Sequence, residues 1–282
     1  MINRESRAKI AQETLDILAA GSYVNRRGDT VSIARALALA KDGTVHYTGA
    51  QLDVLRSATM VGQHHATDIE VSNESSLAAI SRLAREGHDD ILCLNFASAK
   101  NPGGGFLGGS EAQEENLAKS SGLYACIVQK MELYEANRNL HTSMYLDDMI
   151  YSPSVPVFRD DTYAFLDQPL AASFISAPAV NRGALVRNEP ERLDEVEFVM
   201  QRRIEMLLAL ALHRGHSTLV LGAWGCGVFA HRADQMAGWF AKCLVHNPVY
   251  RGAFARICFA VLDRKNDGTF AAFARTLGTG KA

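Results

Sequence analysis

Four short, almost wholly apolar runs constrain this chain more than any other feature: Ile91–Phe96, Ser173–Ser176, Thr218–Leu221 and Ile257–Leu262. A strand with one wet face alternates polar and apolar residues, whereas a near-continuous apolar run needs cover on both faces. Amphipathic helices separate these runs from about Ala66 onward. The clearest spans Glu191–His213, where Leu193, Val196, Met200, Ile204, Leu207 and Ala211 recur at helical spacing. Gln201, Arg202 and Arg203 read as its solvated face. This alternation predicts an α/β sandwich around a mostly parallel or mixed sheet. Met149–Asp161 holds Pro153 and Pro156 and reads as an edge strand or loop.

The first 65 residues read differently. A helix over Asn3–Ala20 ends at Gly21, and β-prone stretches follow at Tyr23–Val24, Thr30–Ile33 and Thr44–Tyr47, broken by Gly28-Asp29 and Asp42-Gly43. Residues 1–65 are expected to form an accessory extension, and 66–282 the catalytic domain. At 282 residues the chain can bury its core without metal or disulfide staples. Its net charge of −2 argues against duplex nucleic-acid binding driven by counterion release. The five scattered cysteines show no zinc spacing. No apolar run approaches the roughly 18–20 residues of a membrane span, and the charged first residues do not resemble a secretory signal. These features predict a soluble, cytoplasmic enzyme with reduced thiols, no metal and no membrane partner.

Two glycine-rich turns carry the chemistry. Strand Ile91–Phe96 runs into Ala97-Ser98-Ala99-Lys100-Asn101-Pro102-Gly103-Gly104-Gly105-Phe106, ahead of a helix with Leu117, Tyr124, Val128 and Met131 on its apolar face. Strand Thr218–Leu221 runs into Gly222-Ala223-Trp224-Gly225-Cys226-Gly227-Val228-Phe229, ahead of a second helix reaching Val245. Glycines let an anion approach backbone N–H groups, and a helix start adds further N–H groups. One such turn is often only a tight connection. Two, facing the crevice at the carboxyl ends of the strands, point to two linked phosphates. Neither is a P-loop, and GxGxxG is absent after the first strand, which disfavours an NTPase and a dehydrogenase.

Gln113-Glu114-Glu115 follows the triple glycine after seven residues. Carboxylates are common in a first helical turn because the dipole favours them. Here they fall within reach of whatever the glycine turns hold. Adjacent helical residues face different ways, so the pair cannot flank a sugar as ordinary glycosidase carboxylates do. One is expected to reach the scissile bond and the other to hold a hydroxyl. The helix N-terminus favours the ionised form while a general acid must arrive protonated. A bound pyrophosphate pushes the other way, so the acid is expected to gain its proton with its substrate.

The run Asn101-Pro102-Gly103-Gly104-Gly105, then Gln113-Glu114-Glu115, resembles the signature of bacterial-type poly(ADP-ribose) glycohydrolases: a triple glycine, a short spacer and Gln-Glu-Glu. Gly222–Phe229 resembles that family's second, diphosphate-binding loop. The resemblance covers about residues 66–270. It implies a three-layer α/β/α macrodomain with a mixed central sheet and an N-terminal extension. It also implies hydrolysis of the ribose–ribose O-glycosidic bond of poly(ADP-ribose), releasing ADP-ribose without metal or cofactor. Glu115 would protonate the leaving ribose oxygen and then activate water, and Glu114 would hold ribose hydroxyls. Gly103, Gly104 and Gly105 would cradle the diphosphate with Gly222, Ala223, Trp224, Gly225, Cys226, Gly227, Val228 and Phe229. Gln113 would join the ligand site, Asn101 would bond the ribose beside the scissile bond, and Phe229 would pack over it. The implied partners are poly(ADP-ribose), ADP-ribose and poly(ADP-ribosyl)ated proteins, in reversal of damage-induced ADP-ribosylation. The rival reading is a non-catalytic ADP-ribose reader, which needs the cradle but not Gln113-Glu114-Glu115.

Other residues read less specifically. Cys226 has no evident His partner and packs in a tight turn. His64 and His65 point apart and read as solvated or capping. Trp224 and Phe106 are either cleft walls or core. Asp263 is an adenosine contact or a helix cap, and Ser72–Glu74 is a candidate for the adenine side.

Overall fold

The computed structural model describes residues 3–60 and 65–278. The extension opens with α1 (Arg4–Ala20), capped by the Asn3 side chain on the Ser6 N–H and closed by Gly21. The hairpin β1 (Ser22–Val24) and β2 (Thr30–Ser32) follows, then α2 (Ala34–Asp42), β3 (Val45–Tyr47) and α3 (Gly49–Ala58). The strands fall where the β-prone stretches were expected. Helices α2 and α3 were not anticipated. A capping box between Thr48 and Gln51 starts α3.

The remainder alternates as expected. It begins with β4 (Asp68–Ser72), α4 (Ser76–Arg85) and β5 (Ile91–Phe96), then α5 (Gln113–Ser120), α6 (Leu123–Ile127) and α7 (Met131–Asn139). Next come β6 (Met149–Arg159), β7 (Phe165–Ala177), α8 (Arg182–Asn188), α9 (Val196–His213) and β8 (Thr218–Leu221). The chain closes with α10 (Ala233–Ala241), β9 (Arg256–Ala260) and α11 (Thr269–Leu277). The sheet order is β3-β6-β7-β5-β8-β9-β4. Pairing is parallel from β7 to β4 and antiparallel at β3–β6 and β6–β7.

Each apolar strand feeds two cores. Leu92 and Leu94 of β5 join Leu219, Ile257 and Phe259 against α9, α10 and α11. Ile91 and Cys93 point the other way, with Val220 and Cys258, against α4, α6 and α7. That two-sided burial is why these strands read as continuous. The extension is not set apart from the sheet: β3 is its edge strand, and Leu52 of α3 lies in the α9 core. Among the described residues no helix is long and apolar enough to cross a membrane.

Four expectations need correction. Residues 149–159 are not an edge strand, since β6 pairs with both β3 and β7. Its prolines are tolerated because β3 reaches only Met149–Tyr151 and the next contact on that side, a bridge from Ser121 to Val157 with the Gly122 N–H on the Pro156 carbonyl at 2.9 Å, needs no proline N–H. The single helix expected after the triple glycine is three short ones, interrupted at the extended Ser121 and again before Met131. The helix expected from Glu191 begins as a 3-10 turn over Pro190–Glu195. Finally, Arg203 is not solvated but wholly buried. It bonds Asp147 at 2.9 Å and the carbonyls of Pro178 and Met144 at 2.8 and 3.1 Å. Arg203→Leu leaves these buried carbonyls without a donor while Arg202 still pairs with Asp147, so it is expected to cost about 1–3 kcal/mol in chemical denaturation.

Candidate active site

Strands β5 and β8 are parallel neighbours, so the loops leaving Phe96 and Leu221 emerge side by side at their carboxyl ends. Between them lies a cavity of about 350 Å³. A second, of about 460 Å³, shares Phe96, Ala112, Gln113, Ala223 and Gly227 in its walls. Each is the size of a small-molecule site, and together they form a bipartite cleft. Helix α5 starts at this cleft without a side-chain cap.

The two glutamates diverge, as neighbouring helical positions must. Glu115 is half-buried and faces the cleft. Its Oε1 accepts from the Gly105 N–H at 3.0 Å, and its Oε2 has no partner among the described residues. Glu114 is 4% exposed. It accepts from the Ser98 N–H at 2.7 Å, the Gly103 N–H at 3.2 Å and Asn95 Nδ2 at 3.3 Å. Burial pushes its pKa up to about 8 and the Glu115 charge adds to this, against three donors that favour the carboxylate. An unfolded glutamate loses its proton near about 4.3. Between that value and about 8 the folded chain binds the extra proton, so stability falls as pH rises and levels off above. The melting temperature is expected to fall over this window, and Glu114→Gln to flatten the slope.

The triple glycine does not offer the bare amides expected of it. The Gly103 N–H is taken by Glu114, Gly104 by the Asn101 carbonyl at 3.0 Å, and Gly105 by Glu115. Gly103 is buried and only Gly104 and Gly105 line the cleft. What the glycines provide is room. Gly104 sits at φ 58°, and a Cβ there would overlap Glu115 Oε1. Gln113 is also committed inside the protein, accepting from the Phe96 N–H at 2.9 Å and donating to the Leu94 carbonyl at 2.7 Å. It ties α5 to the end of β5 and lines the cleft.

The second loop keeps its donors. Gly225, Gly227, Val228 and Phe229 line the cleft, and their N–H groups have no acceptor among the described residues. Gly225, at φ 73°, packs so closely on His231 and Ala179 that a side chain would not fit. Gly222 is buried beneath the loop and Ala223 stands in both cavity walls. Trp224 is core: fully buried, with its indole N–H on the Ala177 carbonyl at 3.1 Å. Phe106, 1% exposed, is core as well. Burial pushes the Cys226 thiol up to about 12, which removes it as a nucleophile at neutral pH. Phe229 lines the cleft with Tyr145 behind it, ring centroids 6.0 Å apart. Asn101 is exposed at the rim.

Other expectations resolve locally. Asp263 caps the turn before α11, accepting from Asp267, Gly268 and Phe270, and its loop walls the second cavity. Glu74 lies there too, held by Arg82 at 2.7 Å. Glu70, Glu74 and Cys258 cluster as metal ligands would, but Arg82 and Arg256 already occupy the carboxylates. His65 is exposed, and His64 lies outside the described residues. Asn95 and Ser98, which no sequence motif marks as functional, shape the site by holding Glu114. Asn95 left a signal, since it is the one polar residue in an apolar strand.

A mixed sheet between two helical layers, with its crevice at the carboxyl ends of parallel strands, defines a macrodomain. This one carries a carboxylate beside the crevice. The chain matches the family described as microbial-type PARG (poly(ADP-ribose) glycohydrolase), catalytic domain, over residues 11–160. It is similar to poly(ADP-ribose) glycohydrolase from Thermomonospora curvata, at 43% identity over 97% of this chain and 100% of that one, TM-score 0.93. The same enzyme bound to the inhibitor ADP-HPD aligns over 96% and 99%, at 43% identity and TM-score 0.90. The Deinococcus radiodurans enzyme in complex with ADP-ribose aligns at 42% identity over 85% and 96%, TM-score 0.80. No curated protein matches. The chain belongs to the microbial-type poly(ADP-ribose) glycohydrolase family, and is thus a glycosidase acting on O-glycosyl bonds.

Proposed function

We propose that the cleft seats the terminal ADP-ribose of poly(ADP-ribose) and that Glu115 is the acid/base that cleaves the ribose–ribose bond. The diphosphate lies on the second loop, where Gly225, Gly227, Val228 and Phe229 hold unpaired N–H groups, with the α5 start beside it. The adenosine extends into the second cavity toward Asp263 and Glu74. Asn101 bonds the ribose beside the scissile bond and Phe229 packs over it. Glu114, already holding three donors, shapes the catalytic loop and meets ribose hydroxyls with its remaining accepting capacity.

The carrying observation is the asymmetric environment of Glu115. The Gly105 N–H anchors one oxygen, and the other is free for a proton. As a carboxylic acid it gives that proton to the departing ribose oxygen. As a carboxylate it stabilises the oxocarbenium-like centre and takes a proton from the attacking water, which restores the acid. The adjacent diphosphate adds negative charge beside the same centre. Five unpaired cysteines fit a reducing, cytoplasmic setting, and poly(ADP-ribosyl)ated proteins are the macromolecular substrates.

Incubation with automodified poly(ADP-ribosyl)ated protein tests this reading. Wild type is expected to release ADP-ribose, and Glu115→Gln to bind without release. Binding without release by both proteins would make the cleft a reader's, and equal release by both would move catalysis to another residue.

A further inference from the structure

Helix α1 lies behind the segment carrying Glu115 and grips it at both ends. At the near end, Arg4 Nε donates to the Gly108 carbonyl and Arg7 Nε to the Gly109 carbonyl, each at 2.8 Å. Arg7 Nε is also 2.8 Å from Glu111. At the far end, Thr14 Oγ1 donates to the Lys119 carbonyl of α5 at 2.7 Å. Between them Ala11, wholly buried, packs with Phe106 and Ala118.

A continuous chain of bonds leads from the arginines to the acid. Arg4 and Arg7 fix Gly108 and Gly109. The N–H groups of Gly108 and Ser110 both donate to the Gly105 carbonyl, at 3.0 and 3.2 Å. The other side of that glycine, its N–H, holds Glu115 Oε1. A second support reaches the same loop from the β6–β7 turn. There the Tyr163 hydroxyl donates to Glu111 at 2.7 Å and accepts from Asn116 of α5 at 3.2 Å. The contacts of Arg4 and Arg7 described above fall on residues 108–111, on the Glu115 side of the cleft and away from the unpaired amides of the second loop.

We infer that α1 is a positioning element for the Glu115 carboxylate, with Arg4 and Arg7 as its positioning residues. The inference rests on Glu115 being the acid/base. Because the second loop carries the diphosphate, releasing this brace leaves ADP-ribose binding intact and spoils the angle of proton transfer. A displacement of an ångström at a reacting group typically costs about 10²-fold, and a partly released loop a fraction of that.

The contacting atom permits a clean test. Arg Nε and Gln Nε2 sit the same number of bonds from the backbone, while Met matches the length without a donor. Arg4→Met/Arg7→Met is expected to lower kcat by about 10-fold, with KM for polymer and Kd for ADP-ribose within about twofold. Arg4→Gln/Arg7→Gln restores most of the loss. Unchanged kcat in the Met pair, a loss confined to KM and Kd, or equal losses in both pairs with a lowered Tm would overturn the inference. If the Met pair does not fold, Arg4→Met at its exposed position carries the test, with about a threefold fall in kcat expected and no fall contradicting it. Glu115→Gln assayed in parallel separates the two claims: if it stays active the acid/base reading fails, whereas if it is inactive and the Met variants are normal only the brace fails.

Discussion

Glu115→Gln is expected to lower kcat on poly(ADP-ribose) by about 10²–10⁴-fold, the contribution typical of one positioned acid/base. Affinity for ADP-ribose should change little. The amide nitrogen that replaces one carboxyl oxygen can neither deliver an acidic proton nor accept one from water. The diphosphate amides lie on another loop, after β8 rather than after β5. Measured kcat and ADP-ribose affinity separate the two losses. A variant that keeps its turnover and loses affinity would make Glu115 a binding group.

Gly104→Ala is expected to cost nearly as much without touching a titratable group. Gly104 has φ 58°, and its added methyl would overlap Glu115 Oε1 and stand 3.2 Å from Glu114 Oε2. Glu115 would have to swing away from the Gly105 N–H. Such a displacement costs about 10²-fold in kcat. Gly238→Ala is the control: it meets nothing within 4 Å in helix α10 and should be silent or slightly stabilising. Equal kinetics in the two variants would show that the close approach of Gly104 and Glu115 is unimportant.

Sequence reading went furthest where the physical signal is local. Strands covered on both faces must be apolar at nearly every position, so β5 and β8 were found residue by residue. Glycine turns at their ends marked the cleft, and the Gln113-Glu114-Glu115 spacing marked the acid. It erred where a distant partner decides the outcome. Arg203 sits on a helix face that looks solvated until Asp147 and the Pro178 carbonyl close over it, and nothing within several turns of α9 announces them. Pro156 argued for an edge, and only the three-residue length of β3 explains how β6 can be paired on both sides.

The division of labour between the two loops was hidden for a related reason. Glycine content shows that a backbone can be approached, not who approaches it. In the first loop the guests are the protein's own Glu114 and Glu115. In the second the corresponding donors stay open. Side chains at positions 114 and 115, eleven and ten residues from the glycines they bond, decide between these outcomes.

A crystal structure of the Glu115→Gln protein with ADP-ribose would probe the central claim most directly. Phosphate oxygens should contact the N–H groups of residues 225–229, with the anomeric carbon of the terminal ribose against the side chain at 115. Phosphates seated on residues 103–105, or that side chain facing away from the sugar, would contradict it.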